Sequence, residues 1–234
     1  MGVSGIPARR AATRAAAALA AATELILPRP CAGCGAETTP GHSLCPRCQH
    51  HLRRVPQRIE RPEPLGFPVR ALGPYSDIRR SIIVAMKERG HRALRGHLAA
   101  VYAAGLDYLR ARGDIPETAL LVPAPTRAAS ARARGGDPVE GVCSGVATRL
   151  PGWQVAPCLQ IARGSADQSE LSASERARNM RGAVELLPNA AALRGRAVLL
   201  VDDVVTTGST LRASAARLWG VGAQVAGALV LAEA

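Results

Sequence analysis

Aromatic residues are almost absent: two Trp, three Tyr and one Phe make up 3% of 234 residues. A core must therefore be built from Ala, Val and Leu. The bases of a single-stranded nucleic acid would find few side chains to stack on. Lysine is scarcer still. Lys87 is the only one among 30 Lys and Arg residues. Beside abundant Ala and Gly, this Arg bias fits a G+C-rich coding sequence as well as it fits a functional basic face. No apolar run can span a bilayer, because the stretch from Ala15 to Ala22 is short and Glu24 soon follows it. No secretory signal and no internal repeat are evident, and a reducing, cytoplasmic setting is expected.

What the chain does contain is 47% hydrophobic residues and a net charge of +12. The first is a globular composition, enough for one medium domain and a small module. The second favours anionic partners such as phosphate esters, nucleic acid or membrane surfaces. Residues 9–27 are Ala-rich and open with Arg9, Arg10 and Arg14. They read as an amphipathic helix packing on the body, with a leader peptide as the alternative. Residues 55–68 hold Pro56, Pro62, Pro64 and Pro68 among charges and read as a linker or extended crossing segment. The expected division is a helix and cysteine module at 1–55, a linker at 56–68 and a main domain at 69–234.

In the main domain, apolar runs alternate with helical patterns. Strands are expected at 69–75, 120–122, 197–201 and 225–231, and helices at 78–89, 93–110, 139–150 and 209–219. Residues 163–174 are polar and read as a long loop. Strand–helix alternation implies an α/β domain with a mainly parallel sheet flanked by helices.

Residues 198–211 carry the densest chemistry. Val198-Leu199-Leu200-Val201 suits a strand buried on both faces. Asp202 and Asp203 follow at its carboxyl end, the edge where open α/β sheets bind ligands. Thr206-Thr207-Gly208-Ser209-Thr210 then leads into a helix. Gly208 permits close backbone approach, the amides and helix N-terminus favour an anion, and the hydroxyls add donors. Carboxylates cannot hold phosphate, but they can accept hydrogen bonds from a vicinal diol or act through Mg2+. A diol beside a phosphate is a ribose 5-phosphate. The plainer alternative is a strand end with a capped helix.

That string resembles the phosphoribosyl-pyrophosphate signature of type I phosphoribosyltransferases. Other stretches are similar to the ComF/GntX family pattern: Lys87-Glu88-Arg89-Gly90, Val122-Pro123-Ala124-Pro125, Gln168 with Leu171, and Arg176, Asn179, Gly182 and Ala183. The family's Arg-Gly-Phe-Asn-Gln-like stretch is replaced by Arg134-Gly135-Gly136-Asp137-Pro138, which lacks the aromatic and the amides. The resemblance implies that phosphoribosyl pyrophosphate binds with Mg2+. Asp202 and Asp203 would take the ribose hydroxyls, and Thr206, Thr207, Gly208, Ser209 and Thr210 the 5-phosphate. Arg127, Arg132 and Arg134 are candidates for the pyrophosphate, or else a solvated basic loop. Residues 163–174, with Gln168, are a candidate lid or a plain surface loop. Arg176 and Asn179 would order that lid or serve as structural caps. No catalytic acid or base can be named. Transfer of phosphoribose to an unidentified acceptor is one expected function. The family's association with DNA uptake in competent bacteria offers another: a non-catalytic protein that senses nucleotides, or handles single-stranded DNA with DNA-processing partners. Type I transferases commonly form homodimers.

Cys31-Ala-Gly-Cys34 and Cys45-Pro-Arg-Cys48 lie ten residues apart. Each pair can aim two thiolates at one ion, and two pairs complete a closed tetrahedral shell. A structural Zn2+ is expected, with redox chemistry or unpaired thiols as the alternative. The module either braces the fold or also serves as a docking surface. Cys143 and Cys158 read as small core residues.

Overall fold

The computed structural model describes residues 30–39, 41–60, 63–88, 91–126, 131, 136–162 and 183–234. The N-terminal stretch 9–27 and the polar segment 163–174 lie outside them. After a short helix α1 (Pro46–Leu52) come strands β1 (Gln57–Arg58) and β2 (Val69–Ala71), then helices α2 (Asp77–Lys87) and α3 (Ala93–Ala111). Next are β3 (Leu120–Pro123), α4 (Pro138–Ala147), β4 (Gln154–Val155), β5 (Leu159–Ile161), β6 (Val184–Leu186) and a 3-10 helix (Pro188–Leu193). The chain ends with β7 (Ala197–Val205), α5 (Ser209–Gly220) and β8 (Gln224–Glu233).

Six strands form one sheet in the order β1-β2-β8-β7-β3-β4. Every pairing is parallel except the edge strand β1, which runs antiparallel to β2. The Pro-rich segment thus contributes a strand to the sheet edge. β5 and β6 form a separate antiparallel ribbon. The architecture is α/β with a mostly parallel central sheet flanked by helices.

Strand β7 shows why the sheet is covered on both faces. Leu199 and Val201 point into one core, with Leu98, Leu106 and Val142. Val198 and Leu200 point into the other, with Leu211 and Leu218 of α5. Alternation at period two divides one apolar run between two cores. The first core also contains Cys31, Leu44, Cys48 and Leu52, so the cysteine segment packs on the same side as α2, α3 and α4.

Helix starts follow capping chemistry. Ser76 caps α2 by accepting from the Arg79 amide. Asp137 caps α4 by accepting from the Val139 and Glu140 amides, with Pro138 in the first turn. The substituted Arg134–Pro138 stretch therefore ends in a helix start. Helix α3 buries Leu94, Leu98, Tyr102, Leu106 and Leu109, the three- and four-residue spacing of an amphipathic helix.

The expected elements in the described residues are present, with shifted ends. β7 runs on to Val205 rather than stopping at Val201, because Asp202, Val204 and Val205 continue the ladder with β8. The acidic pair thus lies within the last ladder positions of a strand. β4, β5, β6 and the 3-10 helix are too short for a periodicity to reveal.

Candidate functional site

At the carboxyl end of β7, Asp202 is half-buried and Asp203 is 3% exposed. Consecutive strand residues face opposite ways, so the two carboxylates leave the backbone on different sides. Asp202 Oδ1 accepts from the Asp203 amide at 2.8 Å, and Asp203 Oδ1 from the Val204 amide at 2.8 Å. Burial and the neighbouring Asp203 charge push the Asp202 carboxyl well above its usual range, while Lys87 pulls it down.

Thr206 and Thr207 are exposed, Gly208 is buried, and Ser209 and Thr210 are half-buried. Gly208 has a φ of 74°, a left-handed conformation that a side chain would oppose. It turns the chain into α5, whose first backbone bond runs from the Arg212 amide to the Gly208 carbonyl at 2.9 Å. The amides of Ser209, Thr210 and Leu211 therefore lack an intrahelical acceptor, which is the feature that binds anions. Thr207 Oγ1 donates to Ser209 Oγ at 3.0 Å, and the Ser209 amide donates to Thr207 Oγ1 at 3.4 Å. The turn is held from within by these two bonds.

Two further segments begin and end at this edge. The Ala124 amide donates to the Val201 carbonyl at 2.8 Å, which ties the Pro123-Ala124-Pro125 turn to β7. Thr126 then hydrogen-bonds the Asp137 carboxylate, closing the stem of the stretch between them. The Ile161 amide reaches the Thr126 carbonyl at 3.4 Å, and the Ala162 amide the Ala183 carbonyl at 2.7 Å. Arg127, Arg132, Arg134, Gln168, Arg176 and Asn179 lie outside the described residues. Only the stems of their segments are placed.

Sequence reasoning named no partner for the acidic pair. The structure supplies Lys87, whose Nζ lies 2.5 Å from Asp203 Oδ2. It also supplies Tyr102, whose hydroxyl donates to the Asp202 carbonyl at 2.5 Å. A signal for Lys87 existed: it is the one lysine in an Arg-rich chain. Nothing local marked Tyr102, which is 100 residues away in sequence.

The sulfurs of Cys31, Cys34, Cys45 and Cys48 all lie within 4.8 Å of one another. Cys34 and Cys45 Sγ are 3.7 Å apart. Four sulfurs at about 2.3 Å from a tetrahedral ion would be about 3.8 Å apart, so the cluster fits a metal of zinc's size. Gly33 has no side chain where a Cβ would stand 2.8 Å from Cys48 Sγ. Burial pushes the Cys31 thiol up, but amides of Cys45, Cys34 and Gly33 outweigh it and bring the thiol to about 6. Burial and the other cysteines push Cys48 up instead. Among the described residues, no helix is long and apolar enough to cross a membrane.

Comparison with known proteins matches residues 142–234 to the family described as Phosphoribosyl transferase domain. The chain is also 51% identical over 51 residues to a protein named adenine phosphoribosyltransferase from Nocardia farcinica (strain IFM 10152). That overlap covers 22% of this chain and 27% of the relative, so the chain spans about a quarter of the length of the curated protein it matches. The stretch matched to the family takes in the end of α4, β4 to β8 and α5. It therefore includes the acidic pair and the turn, but neither Lys87 nor Tyr102.

Proposed function

We propose that the protein binds phosphoribosyl pyrophosphate at the β7–α5 turn and transfers its phosphoribosyl group to an acceptor. One observation carries the reading: a phosphoribosyl transferase domain in which a carboxylate pair ends the central strand and leads into the anion-binding start of a helix. Asp202 and Asp203 accept hydrogen bonds from the ribose hydroxyls. The amides and hydroxyls of Thr206, Thr207, Gly208, Ser209 and Thr210 hold the 5-phosphate. Arg127, Arg132 and Arg134 are assigned to the pyrophosphate, and Gln168, Arg176 and Asn179 to a covering segment.

In this reading an acceptor atom bonds to C1 of the ribose as the C1–O bond to pyrophosphate breaks, and pyrophosphate leaves. The protein's part is alignment and charge stabilisation rather than covalent chemistry. Carboxylate oxygens suit Mg2+, which when bound neutralises charge on the diphosphate. Lys87 already engages Asp203 Oδ2, so the ion is assigned to the ligand's own oxygens rather than to a cage of protein groups. The four cysteines hold a structural Zn2+ and brace the helices packed on them. The 27% overlap with a protein named for adenine makes adenine the first acceptor to try.

Calorimetric titration of phosphoribosyl pyrophosphate with Mg2+ tests the reading, beside an Asp202→Asn/Asp203→Asn variant. Saturable binding that the variant loses supports it, and pyrophosphate release with adenine would then identify the acceptor. A folded wild type that binds nothing rejects it.

A further inference from the structure

We propose that Lys87 is the positioning residue of the acidic pair: its ammonium, held against Asp203 Oδ2, offsets the pair's negative charge, so that both carboxylates can accept hydrogen bonds from a vicinal diol. This inference rests on the ribose reading above, and Lys87 lies outside the stretch matched to the phosphoribosyl transferase family.

The geometry comes first. Lys87 is the last residue of α2, where the helix dipole favours a cation. Its ammonium contacts a carboxylate whose side chain is 5% exposed, while its own side chain is 38% exposed. The charge thus reaches a buried anion from a stem that stays in contact with water.

Among the described residues, the surroundings of the pair contain little else to balance it. Tyr102 of α3 donates its hydroxyl to the backbone carbonyl of Asp202, not to the carboxylate, and burial together with the two carboxylates keeps its phenol protonated. Cys143 of α4 is buried, and burial with the nearby carboxylates pushes its thiol up, so it too stays neutral. The ladder partners of Asp202 and Val204 on β8 are Val230 and Ala232, and the first turn of α5 has no acidic residue. Among the described residues, Lys87 is the cation that reaches the pair.

Two adjacent, poorly solvated carboxylates tend to share a proton. A shared proton turns one acceptor into a donor, and the pair could then no longer receive two hydroxyls. The positive charge of Lys87, in contact with Asp203, opposes this sharing. A lysine also suits the task better than an arginine. Its compact ammonium forms a single contact on a flexible stem and can shift aside as a hydroxyl approaches, whereas a planar guanidinium favours a fixed two-point grip.

The test compares wild type with Lys87→Met and Lys87→Arg, with Lys87→Gln replacing the Met variant if that fails to fold by circular dichroism. Binding of phosphoribosyl pyrophosphate with Mg2+ is measured by calorimetry between about pH 6 and 9. In ligand-free protein, the Asp202 carboxyl is titrated by carbon-13 NMR. The neutral variant should bind about tenfold or more weakly at pH 7, because a buried carboxyl that loses its counter-charge holds its proton to higher pH. Its binding should recover as pH rises. The Arg variant should keep the wild-type pH profile. Loss of the same size at every pH would mean that Lys87 only packs, and unchanged binding would mean that it does nothing; either overturns the proposal. If the wild type binds no phosphoribosyl pyrophosphate, the ribose reading fails and the NMR titration decides alone. An Asp202 titration moved to higher pH in the neutral variant sustains the role of Lys87, and an unmoved one overturns it.

Discussion

Helix α2 touches two clusters of ionisable groups, one near each end, and the clusters manage charge in opposite ways. Near its start, Ile78 packs against Gly33 in the four-cysteine cluster. At its end, Lys87 reaches Asp203. The four sulfurs converge on one another within 4.8 Å. An ion from outside could hold four thiolates at that distance, and its coordination shell would then be closed. The carboxylates instead receive a counter-charge from within the chain, from Lys87. An internally balanced pair could exchange hydrogen bonds with a ligand, whereas a cluster that needs an ion could not give it up without losing structure.

Breaking the closed cluster should have the largest effect. Cys48→Ser removes a fully buried ligand from the core that also holds Leu72 and Leu98. We expect a loss of about 4 kcal/mol or more, a fall in Tm of roughly 10 °C and loss of bound metal. Calorimetry with metal analysis checks this, and a variant that melts like wild type would show that the cluster does not brace the fold.

A second change separates the module from the sheet while sparing both clusters. Arg79, fully buried, donates to the Leu72 carbonyl at 2.8 Å and to the His51 carbonyl at 3.2 Å, and its guanidinium meets His51 Nε2 at 3.1 Å. Burial lowers its pKa to about 10, which leaves it charged at neutral pH. Gly73 makes room for it: its φ is 155°, and a Cβ there would stand 2.6 Å from the guanidinium. Gly73→Ala should cost about 2 kcal/mol in chemical denaturation.

The two carboxylates should then prove unequal. Asp203→Asn leaves Lys87 facing a neutral amide and should destabilise the protein by about 1 kcal/mol. Asp202→Asn should do the opposite, by somewhat less than about 1 kcal/mol at neutral pH. The folded state raises the Asp202 carboxyl above its unfolded value, so its stabilising contribution is present in acid and is lost as pH rises through the folded value. The neutral amide avoids that loss. Urea denaturation at pH 5 and pH 8 should show the advantage of the Asn variant growing with pH, while ligand binding is lost in both variants. Equal effects of the two substitutions would mean that Lys87 does not distinguish the carboxylates.

Much of the site was legible because its parts are adjacent in the chain. An apolar strand, two acids, a glycine turn and a helix start follow one another between Val198 and Leu211, and each is recognisable by local chemistry. The same holds for the two C-x-x-C pairs. Asp137-Pro138 is also a local cap signal, yet set against a family pattern it registers only as a departure, and its role as a helix start emerges from the fold. The short strands β4 and β5 have two and three residues, too few for a period to register.

Sequence alone determined the alternation of strands and helices, the order of groups around Gly208 and the pairing of the cysteines. All of these depend on backbone preference or ligand spacing over a few residues. Only the tertiary structure decided which groups from distant segments face one another: Lys87 against Asp203, Tyr102 against Asp202, and Arg79 between His51 and Leu72. Those contacts arise from helices crossing one face of a sheet. The crossing is set by how two cores fill, and no local pattern encodes it.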